Sequence, residues 1–298
     1  MKTLRECVKE AETKGVAIGH FNISNLETLH AIYNVAKKIS ALGRSAFGGK
    51  LPVIIGLSEG EEKFFGRNEA VALVREIREK DNYPIFLNAD HHTLYESVKK
   101  CIDAGFDAVI IDCANLSLEE NVKVTKECVD YARKISKDTG RDVLVESELG
   151  YIGVGSDIKD TIPEGAGIKT KPKDAKKFVE LTGIDMLAPS VGSIHGLIKS
   201  GKPHIDGKLV AEIKKATGIP LVLHGGSGLR DIDFTNAIKA GISIIHINTE
   251  IRVAYDEALK KSFADKPNEV APYKILQPAV EAVEKVVEER LRLFNGIK

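Results

Sequence analysis

IPLVLHGGSGLRDIDFTNAIKAGISIIHINTE, residues 219–250, decides the fold. Two apolar, β-branched runs, IPLVLHGG (219–226) and ISIIHINTE (242–250), flank a helical pattern that stops on a glycine, the residue that tolerates a left-handed helix end. Strands that are apolar nearly throughout are covered on both faces, which is the condition of a parallel sheet with crossover helices. Outward from this unit the same rhythm recurs in GVAIGHFN (15–22), LPVIIGLS (51–58), YPIFLNAD (83–90), DAVIIDCA (107–114), DVLVESELG (142–150) and IDMLAPSVG (184–192). Eight strand and helix units predict a single (β/α)8 TIM barrel over residues 1–298, a length that one closed α/β barrel commonly reaches. A helix over about 3–14 precedes the repeats, and a long one, PAVEAVEKVVEERLRLFNGIK from Pro278, follows them.

Barrel chemistry sits where the strands end, because eight loops converge there on a rigid ring. The sequence loads that edge. Asp90 and His91 close the third strand, Asp112 is near the end of the fourth, and Glu146 and Glu148 end the fifth. His195 follows the sixth, His224 ends the seventh, and His246 with Asn248 ends the eighth. Three imidazoles from separate strands beside a carboxylate suit a zinc-type ion with one position open to substrate, and His91, His195 and His224 are assigned to it. The other histidines, His20 in the first strand, His30 on a helix, His92 and His204, read as ordinary packed or solvated side chains.

After His224 comes GGSG, with Gly225, Gly226 and Ser227, and after the eighth strand Asn248–Thr249 opens a helix. Glycines let the backbone approach an oxyanion, and the exposed amides of a helix start attract negative charge, so both loops are expected to hold phosphate. HGLIK (195–199) adds Gly196 and Lys199 to the same rim, Lys199 reading equally well as a solvated surface charge. The glycine-rich stretch 151–170 reads as a functional mobile loop.

Composition excludes other classes. With 43 Lys+Arg against 43 Asp+Glu and 6% aromatics, nothing marks a nucleic-acid or membrane-surface binder, so an anionic ligand must be held by local groups. No run approaches the ~18 apolar residues of a membrane span. Cys7, Cys101, Cys113 and Cys128 show no paired spacing, and Met1 is followed at once by a charged helical pattern, so a reducing cytoplasm is the expected home.

GHFNISNLETLHAI, PVIIGLSEGE, FLNADHH, IIDCANLSLEENV, VESELG, SVGSIHGLIK, LVLHGGSG and INTEIRVAY, in this order, resemble the class II, metal-dependent ketose-bisphosphate aldolases along nearly the whole chain. The resemblance implies reversible cleavage of fructose 1,6-bisphosphate to dihydroxyacetone phosphate and glyceraldehyde 3-phosphate. It implies Zn2+ or another divalent cation on His91, His195 and His224, Asp90 as acid and base, and Asp112 and Glu148 at an alternative or second metal position. Phosphate would be held by Gly196, Gly225, Gly226, Ser227 and the Asn248–Thr249 turn, while Asn22 and Ser58 would line the sugar pocket. A monovalent cation and assembly as a homodimer or homotetramer belong to the same implication.

Three places depart from the family pattern. The loop after ELG reads GYIGVGSD, leaving Asp157 and Glu164 as candidates for moving the C3 proton; His246 stands where the family has an asparagine; and Lys274 in VAPYKILQP replaces an arginine on the far phosphate. A tagatose-bisphosphate or other ketose-phosphate aldolase is the alternative reading, followed by a barrel metallohydrolase.

Overall fold

The computed structural model describes every residue except 154, 163–167, 202 and 298. Eight parallel strands close a barrel: β1 (Ile18–Asn22), β2 (Val53–Ser58), β3 (Ile85–His92), β4 (Ala108–Ile111), β5 (Leu144–Leu149), β7 (Met186–Pro189), β9 (Leu221–Leu223) and β10 (Ile242–Ile247). A two-stranded sheet, β6 (Ile158–Lys159) with β8 (Leu197–Ile198), lies outside it. β1 pairs with both β2 and β10, which closes the ring. The helices are α1 (Leu4–Lys14), α2 (Leu26–Ala41), α3 (Glu59–Phe65), α4 (Arg67–Asp81), α5 (Tyr95–Ala104), α6 (Leu118–Thr139), α7 (Pro172–Thr182), α8 (Gly207–Thr217), α9 (Asp231–Ala240), α10 (Thr249–Asp265) and α11 (Pro272–Phe294). None of the described helices is long and apolar enough to cross a membrane.

Local signals set the ends. Ser58 with Glu61, and Ser117 with Glu120, form capping boxes that start α3 and α6, and Gly140 stops α6 at φ 74°. α1 buries Leu4, Cys7, Val8 and Ala11, while its Arg5 binds Asp142 and Asp185 at the starts of β5 and β7. That helix therefore packs across the N-terminal rim and leaves the opposite mouth open.

The structure differs from the sequence expectation in three places. β3 runs two residues further than 83–90, through an added residue: Ala89 pairs with Val109 and His92 with Ile111, three steps against two. His91 takes φ 52° at this bulge. Regular alternation would send Asp90 and His91 to opposite faces, and the bulge turns both toward the mouth. α11 begins at Pro272 with Pro278 inside it, because the face carried by Ala279, Val283, Val287 and Leu291 is buried, which outweighs one lost backbone bond. Within the 151–170 stretch, β6 and the residue before it form a short strand edge tied to the next loop: Leu197 and Lys199 donate their amides to Asp157 and Lys159 at 3.0 and 2.9 Å.

Candidate active site

At the C-terminal mouth four side chains from four elements converge. His91 Nε2 lies 2.9 Å from His224 Nδ1, and Glu148 Oε2 is 3.8 Å from both His195 Nε2 and His224 Nδ1. The inward atoms of His91, Glu148, His195 and His224 all lie within 4.8 Å of one another. The outward atoms of His91 and His224 are already held. His91 Nδ1 meets Asp112 Oδ2 at 2.7 Å, and His224 Nε2 meets Glu146 Oε1 at 2.7 Å, which orients each ring. By contrast His195 Nε2 and Glu148 Oε2 are buried with no hydrogen-bond partner. Buried lone pairs aimed at a common point fit a divalent cation, whose charge would satisfy them.

The electrostatics describe the same need. Burial pushes His91 down, but Asp90, the Asp112 hydrogen bond and Glu148 together outweigh it and take this imidazole up to about 10. His91 thus carries a proton where a cation would sit. Burial, then the neighbouring His246, lowers His224 to about 4, and burial with His91 and His224 holds His195 well below the usual range. Glu148 is raised by burial and then by Asp112.

Asp90 sits beside the cluster, with Oδ1 3.9 Å from His91 Nε2 and 3.4 Å from His246 Nδ1. Asn22 Nδ2 donates to Asp90 Oδ2 at 2.8 Å, leaving Oδ1 buried and without a hydrogen bond. Burial opposes ionisation here, yet His91 and His246 more than compensate, so the carboxylate stays charged well below its ordinary range.

His246 is sandwiched between His20 and His224 at ring separations of 3.5 and 4.1 Å. His20 is therefore part of the floor of the site rather than ordinary strand packing. A Cβ at Gly56 would come within 2.1 Å of His20 Cε1, so only glycine leaves room for this stack.

An inner chamber is lined by Asn22, Asp90, His91, His195, His246, Ser156, Gly196, Gly225, Gly226, Ser227, Asn248 and Thr249. Among the described residues its lining includes no lysine or arginine. A Cβ at Gly225 would meet the Ile194 backbone at 2.6 Å, and one at Gly226 would meet His246 O at 2.7 Å, so close approach of neighbouring backbone demands glycine. Asn248 places no side-chain cap on α10, and the start of that helix faces the chamber. Such amides hold anions without a cationic side chain.

The chamber shares Asp90, His91, Ser156, His195 and Asn248 with an outer cleft of about 430 Å³, also lined by Ser58, Asp112, Asp157 and Arg252. Two expected residues stand elsewhere. Lys199 is exposed and pairs with Asp160 at 3.0 Å, because β8 turns its side chain away from the chamber; Lys159 instead donates to His195 O at 2.5 Å. Lys274 pairs with Glu269 at 3.1 Å and lines neither space. Glu164 lies outside the described residues. Asp112 reaches the cluster only through His91, whereas Glu148 belongs to the cluster itself.

Sequence reasoning missed Glu61 and Arg252. Buried Glu61 accepts from Asn22 Nδ2 and Ser58 Oγ at 2.8 and 2.9 Å and from Arg252 Nη2 at 2.6 Å. The signals were present: Ser58 and Glu61 have capping-box spacing, and Arg252 stands one helical turn beyond Asn248.

The model of the family described as "Fructose-bisphosphate aldolase class-II" matches residues 2–297. The chain belongs to this family. It is 39% identical over 297 residues to the "Probable fructose-bisphosphate aldolase" of Bacillus subtilis (strain 168), covering 99% of this chain and 97% of that one. It is 38% identical to the fructose-bisphosphate aldolase of Geobacillus stearothermophilus, over 99% and 96% of the two chains. The crystal structure of the YdjI aldolase from Escherichia coli K12 superposes with a TM-score of 0.79 at 27% identity, covering 98% and 96%. The family's members are metal-dependent lyases that cleave carbon–carbon bonds, in keeping with the donor cluster at the mouth.

Proposed function

We propose that this protein reversibly cleaves fructose 1,6-bisphosphate between C3 and C4, giving dihydroxyacetone phosphate and glyceraldehyde 3-phosphate. The observation that carries the reading is the convergence of His91, His195 and His224 with Glu148 beside a carboxylate, Asp90, that has one oxygen free. The three imidazoles would hold a divalent cation, zinc by their donor chemistry, and when bound it supplies Lewis-acid stabilisation of the negative charge left on the three-carbon fragment. Asp90 Oδ1 takes the proton of the C4 hydroxyl in cleavage and returns it to the aldehyde oxygen in condensation. Asn22 holds the other oxygen and keeps the free one aimed. Such a proton transfer is worth about 10²–10⁴-fold.

One phosphate rests on the backbone of Gly196, Gly225, Gly226 and Ser227 and on the start of α10 at Asn248–Thr249, all lining the inner chamber. The far phosphate is met by Arg252 in the outer cleft, where Glu61 positions the guanidinium. Asp157, also lining that cleft, is the acid we assign to exchange at C3.

A coupled assay on metal-replete protein, run in parallel with fructose and tagatose 1,6-bisphosphates, tests the proposal. Activity should favour the fructose sugar, vanish on chelation, return with zinc, and survive borohydride in the presence of substrate. Cleavage persisting after thorough metal removal would overturn it, and preference for tagatose would change the substrate.

A further inference from the structure

We propose that Glu62, His92 and Cys101 form a second divalent-cation site, behind the barrel wall and distinct from the cluster at the mouth. The bulge that turns His91 toward the chamber sends His92 the other way, between α3 and α5. There its ring is fully buried, Cys101 is fully buried, and Glu62 is 8% exposed. Cys101 Sγ lies 2.9 Å from Glu62 Oε2 and 3.9 Å from His92 Nε2, and His92 Nε2 lies 3.5 Å from Glu62 Oε2. Bonds of about 2.0–2.3 Å at tetrahedral angles place sulfur, nitrogen and oxygen ligands about 3.3–3.6 Å apart, so small side-chain adjustments suffice.

The remaining polar atoms of His92 and Glu62 already have outer partners. Ser97 Oγ engages His92 Nδ1 at 2.6 Å, and Arg67 pairs with Glu62 Oε1. This leaves His92 Nε2 facing sulfur and carboxylate, the outer support that orients metal-bound imidazoles and carboxylates. Glu59, whose Oε1 is 3.8 Å from His92 Nδ1, is exposed and marks the route by which an ion would enter.

Binding breaks the Cys101 S–H bond, forms a sulfur–metal bond and releases the proton to solvent. The Glu62 carboxylate and the Cys101 thiolate then match the two charges of the cation. Cysteine sulfur with imidazole and carboxylate selects zinc over magnesium or calcium. Such an ion would staple the end of β3 to α3 and α5, next to His91, independently of the reaction proposed above.

Cobalt(II) tests this with the full chain, because a thiolate ligand adds a near-ultraviolet charge-transfer band that nitrogen and oxygen donors cannot produce. The cluster at the mouth offers only nitrogen and oxygen. Wild-type protein loaded with cobalt should take up two ions per chain and show the band, and zinc should bleach it. C101S should lose the band and one equivalent of metal, H92N and E62Q should weaken it, and C113S should keep it. H195A should lower occupancy at the mouth and retain the band. A wild-type cobalt protein without the band, or a band that persists in C101S, would overturn the site; the three side chains would then be a hydrogen-bonded core group.

Discussion

The two ends of the barrel treat buried polar groups in opposite ways. At the N-terminal end Asp185 accepts from Val145 N, Arg5 and Arg133, each at 2.8 Å, and Asp107 accepts from Leu87 N at 2.8 Å and from Arg78. Every one of those bonds ties a strand start to the backbone or a helix. At the C-terminal mouth, Asp90 Oδ1, Glu148 Oε2, His195 Nε2 and His246 Nε2 are buried without partners. A buried polar atom left unpaired costs about 1–3 kcal/mol, so the mouth is destabilised in return for groups poised to bind. The base contributes stability; the mouth spends it.

Exchanging substitutions between the ends gives the largest effect. In metal-loaded protein, where the cation takes the place of the His91 proton, Asp90→Asn should lower kcat by about 10²–10⁴-fold with little change in thermal midpoint. Asp185→Asn should do the reverse, removing about 2–3 kcal/mol of stability while the remaining folded enzyme keeps its kcat. Steady-state kinetics and denaturant melts on both variants check the pair. Equal loss of stability in the two would erase the contrast.

Within the mouth, Arg252→Ala should raise KM for a bisphosphate by about 10–100-fold, the worth of a charge-assisted bond, and leave kcat nearly unchanged. Lys274→Ala should leave both alone. If the two variants exchange these phenotypes, the far phosphate lies along the α10–α11 connection rather than over Glu61.

A further contrast is in pH. His91 is raised from 6.5 to about 10 in the metal-free protein, so its contribution to stability is complete below 6.5 and is lost as pH rises through 10. Metal-free protein should therefore soften over that window. Bound cation replaces the proton, so the loaded protein should show a flatter profile, and its uptake at pH 7 should release protons. Melting curves between pH 6 and 10 with and without zinc make the comparison.

How far the site was legible varies by residue. His195 and His224 follow apolar runs and could be placed at the mouth from strand ends alone. His91 was placed there too, but strict alternation would have turned it away from Asp90's side; only the pairing of β3 with β4 shows the added residue. Lys199 read equally well as a rim cation or a solvated charge from sequence; the pairing of β6 with β8 turns it outward and sends Lys159 inward instead. His20, read as ordinary packing, became part of an imidazole stack only when β1 met β10.

The order of apolar runs, their helix stops and the polar residues at their ends determined the barrel, its eight units and the region of the site. These are short-range properties, set by side-chain period and backbone preference within about ten residues. Tertiary structure alone decided the bulge at His91, the burial of His92 beside Cys101 and Glu62, and the Arg252–Glu61 pair that spans 191 positions. Such meetings depend on how the ring closes and on which strand carries an added residue, and no local pattern encodes either.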